Sequence, residues 1–323
     1  MKYIFKIPFF LVFLIYCSTI NADTLFDSIN SAYLKNSKLN AERAGTKAAK
    51  EEKRESISEF LPSVTISGYV SEQENTNPGN DTSYEPSEQS IVIEQKVFQG
   101  FSGVANLKKK KYGQDIANFK LKKVEQEVLL EAAKAHADLL LNTKKVNINL
   151  INIDLLERQV ETDQNRLEKG EINLTDLAQS EASLSGARAK LIAAQNDLIT
   201  SKANYEKIIG KKPPQNIKEI KEIKLNLPES LAAANSISIS ENPELQISSL
   251  EFQQSKLDII IAGSDISPSA TISYKVAEQD DFSSTIKERT QKTVTATATW
   301  PLFSGGSNIF NLRKTKELKN QKQ

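Results

Sequence analysis

Few residues of this chain have the types and spacing that catalysis or metal binding would require. His136 is the only histidine, and alanines flank it on both sides within a long predicted helix. A single imidazole without clustered carboxylates or thiols does not make a zinc site, so we interpret His136 as a packing or surface residue. The sequence shows no serine nucleophile elbow and no catalytic histidine and aspartate pair. We therefore predict no enzyme, no metal site and no cofactor.

Two other groups of residues are candidates for binding a charged ligand, one a cation and the other a phosphate. Glu278, Asp280 and Asp281 lie close together in a predicted loop, where they either bind a divalent cation or form an ordinary solvated acidic loop. Glycines cluster after two predicted strands, at Gly100, Gly103, Gly305 and Gly306. These glycines lack the sequence that continues a phosphate-binding loop, so we expect them to permit tight turns between strand and helix.

Two basic groups stand about ten residues after predicted strands. The first comprises Lys108, Lys109, Lys110 and Lys111, and the second comprises Arg313, Lys314 and Lys316. Totals of 42 basic and 41 acidic residues create no overall field for nucleic acid, and we expect no nucleic-acid partner. Both groups would lie at a membrane interface if the strands span a membrane, and otherwise form solvated helix faces.

The first residues have the pattern of a secretory signal peptide. Lys2 and Lys6 precede an apolar run over residues 7–16, which is too short to span a bilayer as a helix. We predict cleavage after Ala22, which removes the only cysteine. Lipidation of Cys17 is the alternative, although the tyrosine before it is bulkier than lipoprotein signals use.

An internal duplication sets the organisation of the chain. Residues 61–67 return as 267–273, and residues 97–100 return as 302–305, one residue out of step. A repeat of about 206 residues is too long for a solenoid unit and indicates two halves of one architecture. We divide the chain into a signal peptide (1–22), a first repeat (23–229) and an incomplete second repeat (230–323).

Each repeat is predicted to contain the same order of elements. The first has a helix to about residue 60, a strand pair over about 62–98, a long helical hairpin over about 103–209 and a linker over 210–229. The second has a helix over about 242–263, a strand pair over about 268–302 and the start of a helix over 307–323.

The strands alternate in the way that a membrane barrel requires. Val64, Ile66 and Val70 share one face of the first strand, and threonine occupies every odd position from Thr293 to Thr299 in the last. Four strands cannot close a barrel with a lumen. A spanning protein would therefore need several copies of the chain.

The segment between the strand pairs is predicted to form a helical hairpin. No proline interrupts residues 103–169, and apolar residues recur there at spacings of three and four. At about 1.5 Å per residue this helix would be about 100 Å long. Gly170 ends it, and the return helix runs from about Thr175 to Ile208.

These features together resemble the TolC family of outer membrane efflux proteins. The resemblance covers the mature chain and is most specific at the junctions between strand and helix, which comprise Phe98, Gly100, Gly103, Trp300, Pro301, Phe303, Gly305 and Gly306. It implies a mixed membrane β-barrel and coiled-coil fold, in which each chain of a homotrimer gives four strands to a twelve-stranded barrel continued by a periplasmic α-barrel. A second long hairpin is absent, so we expect a C-terminally truncated member.

The same resemblance implies an exit duct in the outer membrane of a Gram-negative bacterium. The partners would be a periplasmic adaptor, an inner membrane pump or ABC exporter, and outer membrane lipid, as in tripartite efflux or type I secretion. Residues 72–89 and 279–291 would form extracellular loops. The periplasmic tip that contacts the adaptor would comprise Gly170, Leu174, Thr175 and Asp176. For Asp176 the resemblance implies a role in tethering the closed tunnel entrance, which does not exclude a local role at its helix start.

A second hypothesis comes from a different class of protein. The chain would be a secreted periplasmic structural or tethering protein whose strand pairs form a small sheet without channel activity. In that case helices would have to cover the apolar strand faces.

Overall fold

The computed structural model of the protein describes residues 23–77, 79–220, 227–283 and 286–323. The predicted signal peptide, with Cys17 and the cleavage site after Ala22, lies outside the described residues. The helices are α1 (Leu25–Lys35), α2 (Ser37–Glu55), α3 (Ser102–Glu168), α4 (Leu174–Ile209), α5 (Leu231–Glu241), α6 (Pro243–Ser264) and α7 (Ser307–Gln321). The strands are β1 (Ser63–Val70), β2 (Gln73–Asn77), β3 (Asn80–Tyr84), β4 (Ser87–Gln99), β5 (Ser269–Asp280) and β6 (Glu288–Thr299).

The described residues form two compact units. One combines residues 23–36 with 128–220, and the other combines 37–127 with 227–323. Helix α3 contributes residues to both units, so the units do not follow the two sequence repeats. Among the described helices, none has the combined length and apolar character needed to cross a membrane.

The first predicted helix is interrupted, contrary to the continuous helix that we expected up to residue 60. Asn36 has extended backbone angles between α1 and α2, and a short 3-10 turn, Ser58–Phe60, follows α2. The Asn36 side chain donates a hydrogen bond to the carbonyl oxygen of Ile208 over 2.8 Å. Asn242 interrupts the second copy in the same way, between α6 and a helix α5 that the sequence did not predict.

The strands of the second unit form an antiparallel sheet in the order β1-β4-β5-β6. Ser63 pairs with Glu94 in the first strand pair, and Ser269 pairs with Thr299 in the second. These pairs are related by the sequence offsets of 206 and 205, so both strand pairs have the same register. The one-residue difference lies in the connection between the strands, which is one residue longer in the first copy.

The predicted extracellular loop at 72–89 is partly ordered as strands, which corrects the expectation of a loop throughout. β2 and β3 form a separate two-stranded hairpin within it, paired from Gln73 with Tyr84 to Asn77 with Asn80. The polar composition concealed these strands, because neither has an apolar face. The second predicted loop is shorter than 279–291, since β5 continues to Asp280 and β6 begins at Glu288.

A β-bulge changes the alternation of β4 near its end. Lys96 pairs with Thr271 and Phe98 pairs with Ala270, so Val97 is the extra residue. Strict alternation from Ile91 and Ile93 would place Val97 on the same face as these two residues. The bulge instead turns Phe98 onto that face, because the register shifts by one residue.

The helical hairpin of the first unit packs along the predicted seam. Val128, Ala132, Ala135 and Leu139 are buried on α3, and Leu184, Ala187 and Ala194 are buried on α4. Near the turn, Val160, Leu177 and Leu184 form a cluster. The small alanines allow the two helices to approach closely at little cost in side-chain entropy.

Candidate functional site

The sheet has one apolar face and one polar face. Directly opposed residues of an antiparallel sheet point to the same side, so the pairing assigns each residue to a face. The apolar face includes Val64, Ile66, Val70, Ile91, Ile93, Ile272, Tyr274, Val276, Val294, Ala296 and Ala298, with Gln95 and Lys292 as polar exceptions. The polar face includes Ser63, Thr65, Ser67, Glu88, Ser90, Glu94, Lys275, Gln279, Thr293, Thr295, Thr297 and Thr299, with Tyr69, Val92 and Ala277 as exceptions.

The apolar face of the sheet is largely uncovered, whereas some residues of the polar face are buried. Ile66 and Val294 on the apolar face are 77% and 72% exposed. Glu88 and Ser90 on the polar face are only 8% and 4% exposed. A sheet with an uncovered apolar face opposite a polar face is suited to a lipid surface outside and a polar lumen inside.

The buried Glu88 and Ser90 of this face are paired, whereas the buried Oε1 of Gln279 has no hydrogen-bond partner among the described residues. Glu88 accepts from the Lys275 ammonium over 2.5 Å and from the Gln279 amide over 2.7 Å. The hydroxyls of Ser67 and Ser90 lie 3.0 Å apart. These contacts cross from β1 and β5 to β4, so they fix neighbouring strands from the polar side.

Consecutive residues with positive φ connect each strand pair to the following helix. Gly100 and Phe101 have φ of 59° and 68° before α3, and Gly305 and Gly306 have 63° and 82° before α7. A Cβ on Gly100 would lie 2.7 Å from Cβ of Ser267 and 2.9 Å from Cβ of Ser264, distances that atoms do not normally reach. Glycine is therefore required at position 100 both by its backbone angles and by the close approach of the chain.

The other junction residues differ in environment. The Phe98 ring meets Phe101 edge-on at 5.4 Å, and a Cβ on Gly103 would touch the side chains of Glu59 and Phe60 at 3.4 Å. The Trp300 indole donates to the carbonyl oxygen of Ile266. Further along the junction, the side chains of Pro301 and Phe303 are exposed.

The predicted tip is a short turn with a motif at each end. Gly170, at φ 73°, ends α3 in a Schellman motif: its N–H bonds to Leu167 O, and the N–H of Glu171 bonds to Arg166 O. Asn173 and Asp176 begin α4 with a capping box in which each side chain accepts from the other's backbone N–H, at 2.9 and 3.2 Å. Asp176 therefore has a local structural role.

The tip has exposed side chains, and a hydrogen bond between α3 and α4 lies next to it. Leu174 is 71% exposed, and the side chains of Thr175 and Asp176 are also exposed. Beneath them, Asp163 of α3 accepts from Ser180 of α4 over 2.5 Å. This hydrogen bond is the main reason that the pKa of Asp163 is lowered, and it ties the two helices together.

The two basic groups differ in their contacts with acidic side chains. Lys109 lies 2.5 Å from Asp258 of α6, and Lys110 lies 2.8 Å from Glu52 of α2. Lys108 and Lys111 are exposed, as are Arg313, Lys314 and Lys316 of α7. Half of the first group therefore holds helices together within its unit.

Asp281 of the acidic loop is bonded to other residues of the protein. The described residues contain no group of histidine, cysteine and carboxylate side chains that could hold a metal ion. Asp281 accepts from Lys287 over 2.5 Å and from the backbone N–H of Glu85 over 2.8 Å. These bonds lower the pKa of Asp281 and join the two long connections of the sheet.

A buried polar cluster in the first unit has no counterpart in the predictions. The Ser28 hydroxyl lies 2.9 Å from both His136 Nδ1 and the Tyr205 hydroxyl, and Tyr205 donates to Asp23 over 3.1 Å. Ser28, His136 and Tyr205 are fully buried, so no substrate reaches them. Asp23 also pairs with Lys211 at 2.6 Å. The cluster fastens α1 to α3 and α4, and no local pattern reveals it because its members are far apart in sequence.

Burial also shifts the proton equilibria of this cluster. Desolvation is the main cause that lowers the pKa of His136, opposed by its hydrogen bond to the carbonyl oxygen of Lys218. Desolvation likewise raises the pKa of Tyr205 to about 12. Both side chains are therefore uncharged near neutral pH.

Known proteins share this fold and parts of the sequence. The outer membrane efflux protein BepC of Brucella suis biovar 1 is 24% identical over 297 residues, which cover 92% of this chain and 64% of the relative. The chain thus spans less than two thirds of that relative's length. The Campylobacter jejuni CmeC outer membrane channel matches with a TM-score of 0.83 and 12% identity over 94% of this chain and 66% of that one. The outer membrane protein VceC of Vibrio cholerae matches with a TM-score of 0.73 and 15% identity, over 92% and 73%.

The structural matches show the fold, and the resemblance to the TolC family noted in the sequence is confirmed. The family model described as outer membrane efflux protein matches residues 28–211, which is more than half of the chain. The protein belongs to the outer membrane efflux protein family.

Proposed function

We propose that the protein forms the outer membrane exit duct of a tripartite efflux or type I secretion system. The observation that carries this proposal is the uncovered apolar face of the sheet, on which Ile66 and Val294 are exposed, opposite a polar face on which Glu88 and Ser90 are buried. Lipid would cover the apolar face, and solutes would pass along the polar face. The duct conducts passively, and an inner membrane pump or ABC exporter supplies the energy.

The proposed duct is a homotrimer. One chain supplies four strands to its sheet, and β1 and β6 form the two edges. Three copies would give the twelve strands that the TolC resemblance implies. Closing the sheet removes both edges, which otherwise leave backbone groups unpaired in lipid.

A structural tether without channel activity is less well supported. Such a protein must keep its apolar strand residues away from water, for example beneath a helix. Val64, Ile66 and Val70 are instead exposed along β1, and Val294 is exposed along β6. An apolar surface of this kind favours lipid as the neighbour.

The tip is the proposed site of adaptor contact. Gly170, Leu174, Thr175 and Asp176 lie at the turn between α3 and α4, where the Schellman motif and the capping box leave Leu174 exposed. An exposed leucine on a rigid turn provides an apolar anchor for a partner helix. Asp176 remains a candidate gate tether in addition to its local role.

The exposed basic residues are proposed to lie at the periplasmic membrane interface. Lys108, Lys111, Arg313, Lys314 and Lys316 follow the strand ends within the first turns of α3 and α7. Their long side chains could reach anionic headgroups of outer membrane lipid while their helices stay in water. The signal peptide would direct the chain across the inner membrane, with cleavage after Ala22.

A matched pair of substitutions tests the duct. Val294→Lys and Thr293→Lys place the same charge on neighbouring residues of β6, on opposite faces. Lysine on a lipid face costs about 2–4 kcal/mol near the membrane centre, whereas a lumen position tolerates it. The proposal predicts that Val294→Lys lowers the amount of protein in the outer membrane fraction, and that Thr293→Lys leaves it unchanged but alters ion selectivity in planar bilayers.

The opposite results would refute the duct. Protein that is recovered without detergent from the periplasm, or equal tolerance of both lysines together with no conductance, would show that the sheet does not span a membrane. Wild-type protein provides the reference for both measurements.

A further inference from the structure

The junction between β4 and α3 contains an open apolar groove. Its volume is about 240 Å³, and most of its lining is apolar side chain, from Phe60, Val97, Phe98, Phe101 and Val104. Four of these five side chains are exposed, and Phe98 is half-buried. Exposed apolar residues that cluster in this way indicate a surface that another molecule covers.

Phe101 forms one wall of this groove in a strained conformation. Its φ is 68°, in the left-handed region that bulky side chains rarely adopt. The equivalent residue of the second copy is Gly306, which adopts a φ of 82° without that strain. The Phe101 ring makes an edge-on contact with Phe98 and is nevertheless 68% exposed. A strained aromatic residue whose ring stays exposed indicates a function for the ring beyond packing.

A basic stripe continues from the groove along α3. Val104, Lys108 and Lys111 are spaced by four and three residues, so they share one face of the helix, and all three are exposed. The neighbouring Lys109 and Lys110 are instead paired with acidic side chains of α6 and α2. At about 1.5 Å per residue, the two exposed lysines follow Val104 by about 6 and 10 Å. The surface is thus apolar at the strand end and cationic further along the helix.

We propose that this surface binds one anionic glycerophospholipid, with an acyl chain in the groove and the phosphate at Lys108 and Lys111. The proposal rests on the proposed duct, which places the end of β4 at the periplasmic boundary of the outer membrane, and it names a lipid partner at that boundary. Phe98 pairs with Ala270 on the apolar face of the sheet, so the groove is continuous with the face proposed to meet lipid. Two ammonium groups beside an apolar groove complement a lipid that has a net negative headgroup.

The second junction provides a comparison within the same chain. At an offset of 205, three exposed residues of α7 are equivalent to the stripe on α3, namely Ile309, Arg313 and Lys316. However, Gly306 supplies no ring there, and Phe303, the equivalent of Phe98, is 85% exposed. General attraction between basic residues and headgroups would act at both junctions. A lipid held in the groove is expected at the first junction alone.

Native mass spectrometry of the full chain tests this site. The protein is purified in a neutral detergent and mixed with equal amounts of dioleoyl phosphatidylglycerol and dioleoyl phosphatidylcholine, which share their acyl chains and differ in headgroup charge. The test variant carries Lys108→Gln with Lys111→Gln, and the matched control carries Arg313→Gln with Lys316→Gln. A third variant, Phe101→Gly, removes the ring and leaves a residue that adopts positive φ without strain.

We expect the wild-type protein to retain phosphatidylglycerol in preference to phosphatidylcholine. A basic residue near a headgroup contributes about 1 kcal/mol, which is a factor of about five, so loss of both lysines should lower the preference by about fivefold or more. The control pair should leave the preference nearly unchanged. Phe101→Gly should reduce retention of both lipids and keep the preference, because it changes only the part of the site that holds the acyl chain.

Three results would overturn the site. These are equal retention of the two lipids by wild-type protein, equal losses from the lysine pair and the control pair, and full lipid retention by Phe101→Gly. Displacement of phosphatidylglycerol by millimolar inorganic phosphate would also overturn it, since the lysines would then bind free phosphate.

Conductance in bilayers of phosphatidylcholine separates this inference from the proposed duct. A conducting protein without a lipid preference refutes the lipid site and leaves the duct intact. A lipid preference that depends on Lys108 and Lys111, in a protein that never conducts, refutes the duct and supports the lipid site.

Discussion

The indole Nε1 of Trp300 donates a hydrogen bond to the carbonyl oxygen of Ile266 over 3.2 Å. In the first copy, the amide of Gln95 donates to the carbonyl oxygen of Phe60 over 3.3 Å. The two donors differ chemically but occupy equivalent positions at offsets of 205 and 206. Each bond joins the end of a strand to the residues that precede the neighbouring strand.

Several other hydrogen bonds recur at the same offsets. Ser63 and Ser269 donate to the carbonyl oxygens of Glu94 and Thr299. Asn106 bonds to Glu59, and Asn311 bonds to Asp265 in the same way. The duplicated halves have thus kept the contacts between strand and helix where the surrounding sequence has diverged.

The Trp300 bond contributes measurably to the junction. We expect Trp300→Phe to lower the free energy of unfolding by about 1 kcal/mol, because the ring is kept while the donor is lost. Denaturant unfolding in detergent, followed by circular dichroism, measures the change. Phe303→Leu is the control, since its exposed ring makes no such bond, and an equal loss in both variants would contradict this role for the indole.

Gly100 tolerates no side chain. We expect Gly100→Ala to destabilise the second unit by about 1–3 kcal/mol, since the new Cβ meets Ser264 and Ser267 and the residue keeps a positive φ. Gly263→Ala nearby has open space and helical geometry, so it should be neutral or slightly stabilising. Thermal unfolding in detergent compares the two, and equal midpoints would refute the prediction.

The start of α4 depends on its cap. We expect Asn173→Ala to cost about 1 kcal/mol, because the N–H of Asp176 loses its acceptor. Hydrogen exchange should then speed up in the first turn of α4 and remain unchanged at Tyr205 near its other end. Asn173→Ser retains an acceptor and should restore protection; failure to do so would mean that the cap is not the cause.

The His136 cluster makes stability depend on pH. His136 has a lower pKa in the folded than in the unfolded chain, so the unfolded chain binds more protons below its own pKa of about 6.5. Stability from the neutral imidazole is therefore complete above about pH 6.5 and decreases as the pH falls below it. His136→Gln cannot titrate, and we expect its unfolding midpoint to vary less between pH 7.5 and 5. The same slope in both proteins would contradict this assignment.

The sequence predicted those helix ends and strands that depend on nearby residues. Gly170 and Gly210 mark the helix ends because both adopt positive φ, and α3 and α4 end at Glu168 and Ile209. The strand pairs were visible through alternation, since one face of the sheet is apolar. In the structure, Gly100 lies between β4 and α3, and Gly305 and Gly306 lie between β6 and α7, where their positive φ permits a tight turn.

Features that depend on distant contacts were not predictable. The break at Asn36 has no glycine or proline beside it, and it is held by a hydrogen bond to Ile208. The bulge at Val97 depends on pairing with β5, which is far away in sequence. The cluster of Ser28, His136 and Tyr205 joins three helices. The sequence around each of these residues does not indicate which distant residue it contacts.

Alternating accessibility along β6 would show whether the sheet spans a membrane with its apolar face in lipid. Spin labels on single cysteines at residues 293–298, in protein reconstituted in lipid, report collisions with oxygen from the bilayer and with a water-soluble nickel chelate. A sheet that spans the membrane should let oxygen reach Val294, Ala296 and Ala298 preferentially and the nickel chelate reach Thr293, Thr295 and Thr297, with a period of two and opposite phase. Equal access of the nickel chelate to both sets would show that the apolar face meets water rather than lipid, and the duct would be refuted.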